Sequence, residues 1–571
     1  MIAQPRRIPQ HRLPRPEPAI GGPDLILFNG KIWTGEAMAQ RGRKATPAKF
    51  AQAVAIANGR ILAVGPDSGV RRFGRNNTQV IDLRGCFAMP GFIDSHAHFM
   101  DGSFQLLSVK LKDVKDEAEF VRRIQARAGR LARGRWLLGG DWDEQAWPGA
   151  RLPTRWMIDS ATPKNPIFLS RYDGHEALAN SLALKSAGIT KRTPDPVGGE
   201  IVRDAATGEP TGVLKDAAQD LVARIIPPPS EADALEALEA GLAEARRHGV
   251  TGVHDINLGS NTPGADFAGE LRLLRRLEAE QKLTCRFYEI IPLTEWKRLA
   301  DAGIGRGMGA DFIKLGALKA FADGSLGSQT AWFFEPYDNR PRYRGLPLPL
   351  MNPPAKMEGL AREANAAGLQ LAIHAIGDRA VAEILDLYQK LGGRNPAAPR
   401  FRIEHAQHVR PEDFARFGRM GIIASMQPYH AVDDGRWAEK LIGRKRARTS
   451  YAWRSMLEAR APVAFGTDWP VAPLNPLLTL HAALTRVTLD GRHPGGWIPQ
   501  QAITGEQALR AYTAGSAYAA FEESDCGTVA VGKRGDLVVL SENLLKIPPE
   551  EIPNARVLLT VVGGRIVYRN D

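Results

Sequence analysis

One pattern recurs through the middle of this chain. A short apolar run closes on a polar residue, and a helical stretch then leads to the next run. Residues 250–253 close on His254-Asp255, 369–373 on His374, 421–426 on Gln427, and 462–466 on Thr467-Asp468, and the strand 401–404 ends on His405. Between them the spacing is helical. Ser230 is placed to cap a helix carrying Leu235, Leu238, Leu242 and Ala245 on one face, and Gly249 ends it. Strand–helix units in series imply parallel strands joined by right-handed crossovers. Polar residues collected at the C-terminal strand ends predict an α/β fold of the (β/α)8 TIM-barrel type, whose active site gathers on that face.

The first such strand is the most explicit. Met89-Pro90-Gly91-Phe92-Ile93-Asp94-Ser95-His96-Ala97-His98-Phe99 runs from a turn signal through an apolar stretch into His-x-His. On a strand, residues i and i+2 share a face, so both imidazoles leave the strand end together, which is the geometry for gripping one ion from one side. Two neutral nitrogens suit zinc and its first-row neighbours. His-x-His taken alone is common by chance; its weight here comes from the further donors at later strand ends.

At 571 residues the chain is too long for one compact core. Its two ends share a β-rich texture. Residues 25–30, the hairpin 53–64 around Asn58-Gly59, and 80–83 lie at one end; 535–540 and the hairpin 558–568 around Gly563-Gly564 lie at the other. Each piece is too short to bury a core alone, which predicts a small β-sandwich built from both termini. The expected division is a disordered tail over 1–22, sandwich strands over 23–88, a catalytic barrel over 89–520, and the remaining sandwich strands over 521–571. The stretch from about 136 to 220 breaks the rhythm. It reads as an insertion after the first barrel strand, expected to roof the pocket.

Composition excludes several classes. No apolar run reaches the roughly 20 residues of a membrane helix, and residues 1–22 lack the apolar centre of a secretory signal. Cys86, Cys285 and Cys526 form neither a disulfide framework nor a Cys-x-x-Cys pair, which fits a reducing cytoplasm. The net charge of +12 invites a nucleic-acid reading. The basic residues are spread along the chain and mixed with acids, so we expect a solvated surface, no nucleic acid and no membrane partner. The expected partner is a small-molecule substrate; a homo-oligomer is left open.

The stretches PGFIDSHAHF, LKAFADGSLGS, LAIHAIGDRA, FRIEHAQ and GTDWPV, in this order, resemble the amidohydrolase superfamily. The branch they resemble is amidohydrolase family 3, which includes YtcJ-like proteins and N-substituted formamide deformylase. DWDEQAW, RYDGHEALANS, GGEIVRDAATGEPTGVLK and GTVAVGKRGDLVVL resemble the same branch, so the likeness runs from about Asp24 to the C-terminus. The resemblance implies a metal-dependent amidohydrolase that cleaves an amide-type, non-peptide C–N bond. His96, His98 and Asp468 would hold one divalent ion, zinc by default, and His374 and His405 a second. Lys319, carboxylated to N6-carboxylysine, would bridge them, because a plain ammonium has no lone pair to offer. Lys314 is the rival lysine, and strand alternation places it on the opposite face. With neither lysine modified the site would be mononuclear. Water with its pKa lowered from roughly 15.7 to about 7 would attack, and Asp468 would pass its proton to the leaving amine.

His175, Asp323, Gln427 and Arg446 are candidate substrate-pocket residues, each equally readable as structural, as is Asp378. His254 and Asp255 lie near the site without an assigned role, and His408 and His430 read as non-ligands. Two other functions compete. Mononuclear deaminases on this barrel usually carry a glutamate three residues after the fifth-strand histidine; here that position is Gly377, with Asp378 next. A non-catalytic scaffold would typically have lost ligands, and none of the expected set is missing.

Overall fold

The computed structural model describes residues 22–36, 50–111, 113–144, 147–149, 151–171, 176–196, 199–258, 267–393, 395 and 397–570. The N-terminal tail up to residue 21, His175 and Gly198 lie outside them. The chain forms two compact units. One comprises Met1–Phe99, Leu242–Gly259 and Phe267–Asp571; the other comprises Met100–Gly241 and Ser260–Asp266.

The first unit contains eight parallel strands in sequence order: β1 (Phe92–Ala97), β2 (Val250–Ile256), β3 (Arg286–Pro292), β4 (Ile313–Phe321), β5 (Gln370–Ala375), β6 (Arg402–His405), β7 (Ile423–Met426) and β8 (Val463–Phe465). Each pairs with the next, and a parallel bridge from Ala97 to Trp469 nearly closes the barrel. Strands β1, β2, β5, β6, β7 and β8 are buried along their whole length, which is why they lack a regular alternation of apolar and exposed polar positions. The closure depends on Gly466. A Cβ there would stand 2.5 Å from the His96 backbone nitrogen and 2.7 Å from Asp94 Oδ1, so only glycine lets the end of β8 come so close to β1.

Two mixed sheets flank the barrel sequence. One holds Leu25–Phe28, Ala53–Ala57, Arg60–Gly65 and Gln79–Asp82. In the other, Phe87–Pro90 lies between N-terminal Lys31–Trp33 and C-terminal Leu537–Leu540, followed by Val557–Val562 and Arg565–Arg569. One core joins them: Leu25, Leu27, Ile32, Val54 and Ile56 pack with Leu537, Val539, Leu559 and Val561. Asn58 and Gly59 both take positive φ (51° and 74°), as a tight primed hairpin turn requires.

The second unit is a six-stranded sheet ordered Gly199–Arg203, Pro210–Asp216, Glu176–Ala179, Phe168–Arg171, Gly139–Trp142 and Val109–Lys110. It begins before the expected insertion start near 136. Val109–Lys110 is one of its strands, and helix Glu117–Ala128 sends Phe120 and Ile124 into its core beside Trp142, Ile158 and Leu169. No helix among the described residues is long and apolar enough to cross a membrane.

Candidate metal centre

The ends of β1, β4, β5, β6 and β8 bring His96, His98, Lys319, His374, His405 and Asp468 to one rim. His96 Nε2 lies 3.5 Å from Asp468 Oδ1, and His98 Nε2 lies 3.4 Å from the same oxygen. The Lys319 ammonium nitrogen is 3.4 Å from His96 Nε2. The His405 ring stands 4.8 Å from that of His96 and 4.5 Å from that of His374, centre to centre.

Hydrogen bonds behind each ring decide which nitrogen faces inward. His96 Nδ1 donates to Glu404 Oε2 at 2.6 Å, His98 Nδ1 to the Ile256 carbonyl at 3.1 Å, and His405 Nδ1 to Gln427 Oε1 at 2.8 Å. Each of these three therefore keeps its Nε2 lone pair for a ligand. His374 is turned the other way: Nε2 donates to the Gly324 carbonyl at 3.1 Å, which leaves Nδ1. Burial, with Lys319 nearby, pulls His96 down to about 4 and His374 to about 3. His405 is also pushed well below its ordinary value, by burial first and then by the neighbouring imidazoles. These three rings are neutral at pH 7, the form that binds metal. Burial would raise the Asp468 carboxyl, but His96, His98 and His405 outweigh it and hold it well below the usual carboxylate range.

This donor set fits a divalent ion. Two donors about 2.1 Å from a tetrahedral zinc stand roughly 3.4 Å apart, and the His96–Asp468 and His98–Asp468 spacings lie within 0.1 Å of that. Lys319 is buried, and burial brings its ammonium down to about 8 against the pull of Glu404 and Asp468. Lys314 lies near the N-terminal end of β4, where it pairs with Glu522 at 3.0 Å. A bulge between Lys314 and Ala317, with Gly316 at φ 112°, breaks the alternation that would have sent it to the face opposite Lys319, so it is distance along the strand that keeps it from the rim.

The remaining candidates divide. Gln427 is spent on His405 and on the Ser425 carbonyl, so it orients a ring. Asp323 accepts three backbone N–H groups, from Trp332, Ile376 and Gly377, and its Oδ1 lies 3.5 Å behind His374. Arg446 donates to the Glu335 carbonyl and to Asp338. All three thus have structural partners in place of an open pocket. His254 accepts from Arg402, and Asp255 accepts the Phe99 N–H. His408 is bonded to Ser450 Oγ at 2.6 Å.

Sequence reasoning missed Glu404, and it named His430 only to set it aside as a non-ligand. Glu404, buried between Arg402 and His96, fixes the His96 ring. Burial raises its carboxyl, but Arg402 and His96 bring it well below the ordinary range. The readable signal was Arg402 and Glu404, two apart and of opposite charge on one short strand, which alternation sends to one face. His430 lies 3.8 Å from Asp468 Oδ2. It follows Gln427 by three residues, on the first turn after β7, and a strand-end search passes over it.

The amidohydrolase family model matches residues 79–568 of this chain. The protein LONG AFTER FAR-RED 3 of Arabidopsis thaliana is 40% identical over 95% of this chain and 91% of its own length. The N-substituted formamide deformylase of Arthrobacter pascens is 29% identical over 95% and 98%. A crystal structure of an uncharacterized metal-dependent hydrolase from Pyrococcus furiosus superposes with a TM-score of 0.73 at 28% identity, covering 91% of this chain and all of that one. With the barrel, the rim of histidines and the closing aspartate, these likenesses place the chain in the amidohydrolase family, as a metal-dependent hydrolase of carbon–nitrogen bonds.

Proposed function

We propose that this chain hydrolyses the amide-type, non-peptide C–N bond of a small molecule. The observation that carries the reading is the cage of His96 Nε2, His98 Nε2 and Asp468 Oδ1, with spacings of 3.4 and 3.5 Å. His96, His98 and Asp468 hold the first divalent ion, zinc by preference. His374 and His405 would serve a second, with Lys319 as a further ligand once its nitrogen has added CO2. A bound ion supplies Lewis acidity that lowers the pKa of water from roughly 15.7 to about 7.

The chain's own groups do the rest. Glu404, Gln427 and the Ile256 carbonyl lock the rings so that their lone pairs converge. Asp468 Oδ1 closes the cage, and Oδ2 accepts the water's proton and delivers it to the leaving nitrogen. The likeness to a formamide deformylase supports N-formyl or N-acyl amines as the first substrates to try. Gly377 speaks against the deaminase alternative. A Cβ there would lie 2.1 Å from the Trp332 carbonyl oxygen, so the glutamate that such enzymes carry has no room.

The test is purified, metal-assayed protein screened against N-formyl and N-acyl amines, with product analysis. We expect acid and amine as products, and a fall in kcat of about 10²- to 10⁴-fold in Asp468→Ala. Free ammonia from a nucleobase or guanidine substrate, or full activity in Asp468→Ala, would refute it.

A further inference from the structure

The two oxygens of Asp468 face different imidazoles. Oδ1 looks toward His96 and His98, whereas Oδ2 lies 3.8 Å from His430 Nε2. His405, His430 and Asp468 each bring a donor atom within 4.8 Å of the other two, with Asp468 shared between this trio and that of His96 and His98. The His430 ring lies nearly parallel to that of His405, at 6.3 Å and 17°. His430 Nε2 is buried and has no hydrogen-bond partner among the described residues. A buried polar atom left so is costly, and it points to a missing partner. The same segment sets up both rings: Gln427 turns the His405 Nε2 inward, and the helix Pro428–Asp434, which starts at the next residue, carries His430.

We propose that His405, His430 and Asp468 Oδ2 form a second cation cage, distinct from the Lys319-bridged one, whose occupant blocks hydrolysis. It needs no carboxylate on Lys319. An ion there takes the oxygen that receives the water's proton, and it takes His405 from the bridged arrangement. The state of Lys319 thereby selects between a productive second ion and a blocking one. This rests on the reading that His96, His98 and Asp468 hold the first ion.

The experiment uses the full chain in CO2-depleted buffer, with zinc or cobalt(II) uptake measured by equilibrium dialysis and elemental analysis. Lys319→Met removes any bridge, and the double variant Lys319→Met/His430→Phe also removes the imidazole while keeping a ring against His405. We expect two ions in Lys319→Met. In the double variant we expect one, with the second ion bound more than about 100-fold more weakly, since losing groups that merely orient a ligand already costs roughly 10- to 100-fold. The ion retained by the double variant reports that the fold is intact; His430→Gln replaces phenylalanine if both ions are lost. Excess zinc should slow the wild-type enzyme and leave His430→Phe unaffected. Equal stoichiometry in Lys319→Met and the double variant overturns the inference, as does equal zinc inhibition of wild type and His430→Phe. One ion in Lys319→Met overturns it alone, whereas no ion there overturns the first-ion reading with it.

Discussion

Glu404 carries its charge where no water reaches, because two neighbours need it there. Arg402 donates to Oε1 at 2.7 Å, and His96 donates to Oε2 at 2.6 Å. Arg402 also reaches the Ser95 carbonyl and His254, so the guanidinium is itself fully engaged inside the barrel. The pair thus fixes the tautomer of His96 from behind. Glu404→Gln keeps the shape and removes the charge. We expect affinity for the first ion to fall roughly 10- to 100-fold, read by competition with a chelator, with the apo protein still folded. Unchanged affinity would show that His96 needs no such support. The ligands themselves were legible because they stand at or just beyond the ends of successive strands. Their orienting partners were not, since a buried glutamate becomes meaningful only once the strand before it is seen to face a histidine from β1.

The element that decides the site is the turn after β8. Asp468 sits at φ 61° and His405 at φ 72°, a region few non-glycine residues occupy. Plain alternation would send Glu404 and His405 to opposite faces; the positive φ at His405 re-aims it. The apolar runs and their polar ends made the strands legible, but nothing in a run announces such a backbone reversal. Asp94 holds the turn from β1. It accepts from Thr467 through the backbone N–H at 3.0 Å and the hydroxyl at 2.6 Å, and from the His96 N–H at 3.1 Å. Gly466 lies against this knot. Gly466→Ala should force β8 away from β1, costing about 1–3 kcal/mol as overpacking does, and should weaken ion binding at Asp468. Parallel measurement of Tm and metal content checks both. A variant with native Tm and a full first site would mean that the closure tolerates a methyl group.

In the first unit, a buried ion pair ties the C-terminal strands to the barrel. Arg286, which opens β3, donates Nε to Asp536 Oδ2 at 2.7 Å and Nη2 to Oδ1 at 3.0 Å. Asp536 in turn accepts the Gly563 N–H at 2.7 Å, between the last two strands. Removing one member of such a pair strands a charge, whereas replacing both with apolar residues of similar volume is often neutral. Arg286 also donates Nη1 to Asp311 Oδ2 at 2.9 Å, so Asp536→Leu leaves the guanidinium partly paired. It should cost about 1–3 kcal/mol, the loss of charge-assisted hydrogen bonds, and Arg286→Met/Asp536→Leu should recover part of it. Two thiols report on the junction. Cys285 precedes Arg286, Cys526 lies in the segment leading to Asp536, and both are buried, which pushes their thiols well above the ordinary range. Thiolate is the reactive form, so at neutral pH native protein should react at the half-buried Cys86 and leave these two intact. In Asp536→Leu, Cys285 and Cys526 should be modified faster, and in the double variant they should again be protected. Equal protection in all three proteins would mean that the terminal strands are held by their apolar core, with Leu537, Val539, Leu559 and Val561 sufficient to close the unit without the ion pair.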